Sequence, residues 1–258
     1  MNYLPEDILT SDGFLQAFPR NYYKTDVLVW GRPIEWRGRI HEPPVGRQVL
    51  ALAGHSDFPL TDEIVKKYPA MRWFASNTQS ITAYGLPLGI TNDTDETPVH
   101  RIYGNKQIMI DAIRQPVTYK NLCYMNFVID TFPSVRAPLF ERMKDKPWVT
   151  VGTPVATMEG RKAFLEDIRS HTFVLCPRGN GIDTHRLWET LYMGSIPVVV
   201  YDSAHKDWTD LPILFIQDWA QVTEEFLRAE YTRILGTRWN LSKLKMSYWI
   251  EKIKNASR

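Results

Sequence analysis

The chain has 258 residues, 44% hydrophobic and 23% charged, proportions of a folded globular protein rather than a disordered one. Its 31 basic and 29 acidic residues leave a formal net charge of +2, without the basic excess of a nucleic-acid-binding surface but with room for a local basic site. The two cysteines, Cys123 and Cys176, each sit in an apolar run, the pattern of buried thiols in a reducing compartment rather than of a disulfide framework or a metal site.

The opening stretch, Met1–Arg20, carries acids and prolines and lacks a basic-then-apolar leader. No run approaches the ~20 apolar residues that cross a bilayer, so the expectation is a soluble, cytoplasmic chain. Asp26–Trp30 (DVLVW) is the first predicted strand, and Gln48–Ala53 (QVLALA) the second, ending at Gly54-His55-Ser56-Asp57. A helix is predicted over Thr61–Tyr68, with Asp62 and Glu63 in its first turn. Arg72–Ser76 and Gly85–Leu88 read as short strands, and the polar segment Thr91–Pro98 (TNDTDETP) marks a boundary.

Beyond it a helix is predicted around Asn105–Arg114, and strands and helices then alternate. The strands are Asn121–Phe127, Trp148–Val151, Thr172–Cys176, Ile196–Tyr201 and Leu214–Ile216. The helices are Ser134–Lys144, Gly160–Ser170, Thr184–Met193 and Gln221–Leu235. The strand runs are almost continuously apolar, as in a parallel, doubly wound sheet buried on both faces. The first half reads as a smaller α/β layer of the same kind, so a cleft is expected between two layers. The expected division is residues 1–104 and 105–258.

The richest segment is Thr172–Asp202, TFVLCPRGNGIDTHRLWETLYMGSIPVVVYD. A buried strand ends at Cys176-Pro177 and Arg178-Gly179-Asn180-Gly181 forms a loop, whose glycines permit close backbone approach and positive φ. Asp183 or Thr184 can cap the next helix, whose free N–H groups and dipole favour an anion. Arg178 and Arg186 flank that spot, so a diphosphate could meet both guanidiniums. Glu189 lies one turn from Arg186, placed for ribose or sugar hydroxyls, and Gly194 ends the helix. The plain alternative is a structural glycine turn with Arg178 in a surface salt bridge.

This segment resembles the donor-binding region of exostosin-like glycosyltransferases, in which a strand leads into a Cys-Pro-Arg-Gly loop and an Arg-bearing helix. Gly194-Ser195-Ile196-Pro197-Val198 matches the turn and strand that follow. Tyr124–Arg136 (YMNFVIDTFPSVR) resembles the start of the donor half in the same enzymes and in α1,3-fucosyltransferases. The likeness is good over Tyr119–Asp202 and loose in the first half, and the layout is that of compact algal-virus members. The resemblance implies a GT-B-type fold, two small Rossmann-like parallel-sheet lobes facing a central cleft. It also implies an inverting hexosyl- or pentosyltransferase that moves a sugar from a UDP- or GDP-sugar to a glycan or glycoprotein acceptor, with no metal cofactor. By position Arg136, Arg178 and Arg186 would contact the diphosphate and Glu189 the ribose or sugar. Asn126, Gly179, Asn180, Gly181, Asp183, Thr184 and His185 would line the same wall, although His185 equally suits a solvated helix start.

Sugar transfer with inversion needs a base for the acceptor hydroxyl. Asp57, after a buried strand of the first lobe, is the first candidate and His55 the second; the alternative is that Asp57 only shapes the turn before Pro59. Asp93-Thr94-Asp95 is an Asp-x-Asp, a short pattern associated with metal-dependent transferases, set in a solvated linker. A metal-dependent transferase and a non-catalytic nucleotide- or glycan-binding module are thus the competing functions. His41, His100, His171 and His205 have no companions that suggest a metal site.

Overall fold

The structure is a computed structural model that describes residues 5–18, 27–30, 35–36, 39–40, 50–53, 57, 59–67, 69, 72–92 and 98–256. Its strands are β1 (Val27–Trp30), β2 (Glu35–Trp36), β3 (Arg39–Ile40), β4 (Leu50–Ala53), β5 (Arg72–Ala75), β6 (Tyr84–Gly85), β7 (Asn121–Met125), β8 (Val149–Val151), β9 (His171–Leu175), β10 (Ile196–Val200) and β11 (Leu214–Ile216). The helices are α1 (Ser11–Ala17), α2 (Asp62–Lys67), α3 (Pro98–Tyr103), α4 (Lys106–Arg114), α5 (Pro133–Met143), α6 (Met158–Ser170), α7 (His185–Tyr192), α8 (Glu224–Leu235) and α9 (Met246–Ala256).

Two parallel sheets interleave with these helices. The first, in the order β1-β4-β5-β6, pairs Ala53 of β4 with Ala75 of β5. The second runs β11-β10-β9-β7-β8 and is parallel at every junction. Parallel neighbours require crossovers, and α2 carries the one from β4 to β5, while α5, α6 and α7 carry those from β7 through β10. Helix starts are written locally: Asn105, Thr157 and Thr223 cap α4, α6 and α8 by accepting from the amides of Ile108, Gly160 and Phe226. Strand β9 is buried along its whole length, and its Phe173-Val174-Leu175 run suits a strand covered on both faces. No helix among the described residues is long and apolar enough to cross a membrane.

One core cluster lies on one side of the second sheet, joining Met125, Leu139, Phe173, Val198 and Leu227. The other runs through both halves, bringing Phe74 and Leu86 together with Tyr124, Val174, Trp188 and Trp249. The chain ends help to close it: the Leu9 amide donates to Tyr192 Oη at 2.8 Å, and that hydroxyl donates to the Leu244 carbonyl at 2.7 Å. Cys123 and Cys176 are free, buried thiols, and burial pushes the Cys176 thiol up to about 12.

The order of the second sheet sets the place of the site. From β7 the chain crosses outward to β8, then returns past β7 to β9 and continues the other way to β10 and β11. The connections after β7 and β9 therefore diverge, and the crevice at their carboxyl ends is where an open α/β sheet takes ligands.

Candidate active site

The loop after β9 folds back on itself, the Gly179 amide donating to the Gly181 carbonyl at 3.1 Å. Arg136, from α5, holds it there. Its Nε donates to the Arg178 carbonyl at 2.9 Å and its Nη1 to the Val128 carbonyl at 2.7 Å, with a longer contact from Nη2 to the Pro177 carbonyl at 3.4 Å. One side chain thus ties the loops after β7 and β9 together. Burial, followed by the nearby Arg186 charge, pushes the Arg136 guanidinium down to about 10. Two cations crowded this way favour an anion between them.

Beside them opens a cavity of about 380 Å³, lined from both halves of the chain. Of the residues that sequence reasoning singled out, the structure brings Asp57, Asn126, Arg136, Gly179, Asn180, Gly181, Asp183, Thr184, His185, Arg186 and Glu189 to its wall. Arg178 is not among the lining residues. Its guanidinium stacks 4.4 Å from the Phe132 ring, and Nη2 donates to the Asn180 carbonyl at 3.2 Å. His55, His41, Asp93 and Asp95 lie outside the described residues. Among the described residues, no group of three or more His, Cys, Asp or Glu could hold a metal ion.

Two local expectations need correction. Gly179 and Gly181 do not adopt positive φ; among the described glycines Gly89 and Gly194 do, at 69° and 83°. What Gly181 supplies is closeness, since a Cβ there would meet the Asn77 side-chain amide at 2.9 Å and Asp57 Oδ1 at 3.2 Å. That contact places Asp57, an exposed side chain of the first half, across from the loop after β9. Capping differs as well. Thr184 is the N-cap of α7, but its side chain takes no helix N–H. The Asp183 carboxylate turns inward instead, accepting from the Leu88 amide at 2.8 Å and from Trp188 Nε1 at 2.9 Å. The Asp183 amide donates to Asn77 Oδ1 at 2.7 Å. Burial pushes the Asp183 carboxyl up to about 7 against the hydrogen bonds that hold it down.

The first turn of α7 completes the wall. His185 Nδ1 lies 2.8 Å from the Gly89 carbonyl, which can only accept, so Nδ1 carries the proton. Burial pushes the His185 imidazole below its ordinary range. Arg186 lines the cavity, and its Nε is buried without a hydrogen-bond partner among the described residues, a donor open to a ligand. Glu189 is 4% exposed and pairs through Oε1 with Arg161 Nη1 at 2.6 Å.

Arg161 is itself fully buried, between the rings of Tyr103 and Phe164 at 5.5 and 5.7 Å. In GRKAF it reads as a solvated helix arginine, and nothing local marks it otherwise. Tyr103, Thr131, Pro154, Val155 and Phe164 also line the cavity without having been foreseen. Pro154 and Val155 were within reach of sequence reasoning, because they follow the carboxyl end of a predicted parallel strand.

Residues 128–223 of the chain match the exostosin GT47 domain. The matched stretch carries the loop after β9, α7, Arg136, Arg161 and Glu189, and it supports a sugar-transfer function. It covers less than half the chain, and Asp57 lies outside it. No curated protein matches the chain.

Proposed function

We propose that the protein is an inverting, metal-independent glycosyltransferase of GT-B type that takes a UDP- or GDP-sugar at this cavity. The observation that carries the proposal is the pair Arg136 and Arg186, the latter with an unpartnered buried Nε, beside the start of α7 at the switch point of a parallel sheet. Guanidiniums and helix N–H groups together supply the positive charge that a departing diphosphate needs. Residues 105–258 form the donor side and residues 1–104 the acceptor side, which receives a glycan or glycoprotein.

In this reading the acceptor oxygen attacks the anomeric carbon while the bond from that carbon to the diphosphate oxygen breaks. The diphosphate leaves toward Arg136 and Arg186, and Asp57 takes the proton of the attacking hydroxyl. Placement of Asp57 on the cavity wall, contributed by the first half against the loop after β9, supports that role.

Donor binding measured by calorimetry for the parent and for Arg186→Ala tests the proposal. Losing a charge-assisted phosphate contact should weaken UDP- or GDP-sugar binding by about 1.5–3 kcal/mol, with the fold intact by circular dichroism. Equal donor affinity in the two proteins would sink the site. Transfer should also survive exhaustive chelation; activity restored only by manganese would favour the metal-dependent alternative through Asp93 and Asp95.

A further inference from the structure

The charges that line the cavity bear on which sugar the nucleotide carries, an inference that rests on the donor-site reading above. Among the described lining residues the permanent cations are Arg136 and Arg186, and both are engaged by a diphosphate. The rest of the lining carries the opposite sign. Glu189 lines the cavity, whereas its ion-pair partner Arg161 is fully buried and not part of the lining. The pair is therefore a dipole with its negative end toward the ligand. Asp57, from the first half, adds a second carboxylate beside Gly181.

An ionised carboxylate only accepts hydrogen bonds, so Glu189 suits hydroxyl donors. A carboxylate on the sugar would meet like charge with no further cation among the described lining residues to receive it. Tyr103, Pro154, Val155 and Phe164 add apolar surface, which suits the C–H faces of a neutral ring. We propose that the transferred sugar is uncharged, that its hydroxyls donate to Glu189 held by Arg161, and that nucleotide hexuronates are disfavoured.

Matched pairs that differ only in the carboxylate test this on the intact protein: UDP-glucose with UDP-glucuronate, UDP-galactose with UDP-galacturonate, and GDP-mannose with GDP-mannuronate, with UDP and GDP alone as references. In whichever pair binds, the neutral member should bind at least about tenfold tighter, the scale expected of like charges in a partly desolvated site. A hexuronate that binds as tightly as its neutral partner, or more tightly, overturns the sugar assignment and leaves the donor site standing. If neither the pairs nor UDP and GDP bind, the donor site itself is wrong and this inference falls with it. Attribution comes from the double variant Arg161→Met/Glu189→Gln, which removes both charges and leaves no lone buried ion. In it the preference should shrink severalfold toward equality, and a preference of unchanged size would remove Glu189 as the discriminating residue.

Discussion

The Arg161–Glu189 pair offers a sharp test of the architecture beneath the cavity. The two charges meet at 2.6 Å with side chains 0% and 5% exposed. Removing one partner strands the other ion in a desolvated place, at a cost of about 3–5 kcal/mol. Arg161→Met and Glu189→Gln should each lose stability on that scale, lowering Tm by roughly 6–20 °C in a chain of this size. The double variant has no stranded charge and should recover much of the loss, giving a coupling energy of at least ~2 kcal/mol. Denaturant melts of the four proteins at neutral pH close the cycle. Single variants that each cost under ~1 kcal/mol and simply add would show an exposed, weakly coupled pair and refute the buried dipole.

Further outcomes follow from the same geometry. The Asp183 carboxyl rises from 3.8 to about 7 in the folded protein. Its titration therefore stabilises the fold fully below the unfolded pKa near 4, and that contribution is lost as pH climbs through 7, a change of about 4 kcal/mol for three units. The stability difference between the parent and Asp183→Asn should drift by that order between about pH 4 and pH 8, and a flat difference across that range would contradict it. Gly181→Ala drives a Cβ against Asn77 and Asp57 and should cost about 1–3 kcal/mol of stability, with weaker donor binding; an unchanged melt and affinity would mean that the loop yields freely. Asp57→Asn should cut turnover by ~10²–10⁴-fold and leave donor affinity nearly untouched, and near-normal turnover would make His55 the next residue to test.

Much of the second sheet was legible because burial on both faces leaves little choice of residue. Runs such as Thr172–Cys176 and Ile196–Tyr201 fall within a residue of β9 and β10, and Leu214–Ile216 coincides with β11. Boundaries drifted where capping decides them. Thr157 starts α6 at Met158, two residues ahead of the expected Gly160, and Thr223 delays α8 to Glu224 from the expected Gln221. The helices α1, α3 and α9 went unforeseen. Ser11–Ala17 has seven residues and a glycine inside, and gains its stability from tertiary packing. In α9 the buried Met246, Trp249 and Ile253 were visible as a stripe at helical spacing, but the stretch after Leu235 offers no strand to pair it with.

The site divides along the same physical line. What a local pattern can encode, a glycine loop, an arginine and a carboxylate one helical turn apart, was readable and converges on one cavity. What depends on contact between distant segments was not. Asn77 and Asp183 lie 106 residues apart, Leu88 and Asp183 95, and Gly89 and His185 96. No periodicity predicts such meetings, and each draws a polar group of the α7 start toward the first half. These bonds decide the electrostatics at the cavity. Asp183 directs its carboxylate to Leu88 and Trp188 rather than to Arg186, and His185 holds its Nδ1 proton on Gly89. Arg161 takes up the charge of Glu189. The wall thus carries a guanidinium at Arg186 and a carboxylate at Glu189, one helical turn apart. On the proposed reading, that separation of sign across a single helix turn suits a nucleotide-linked neutral sugar.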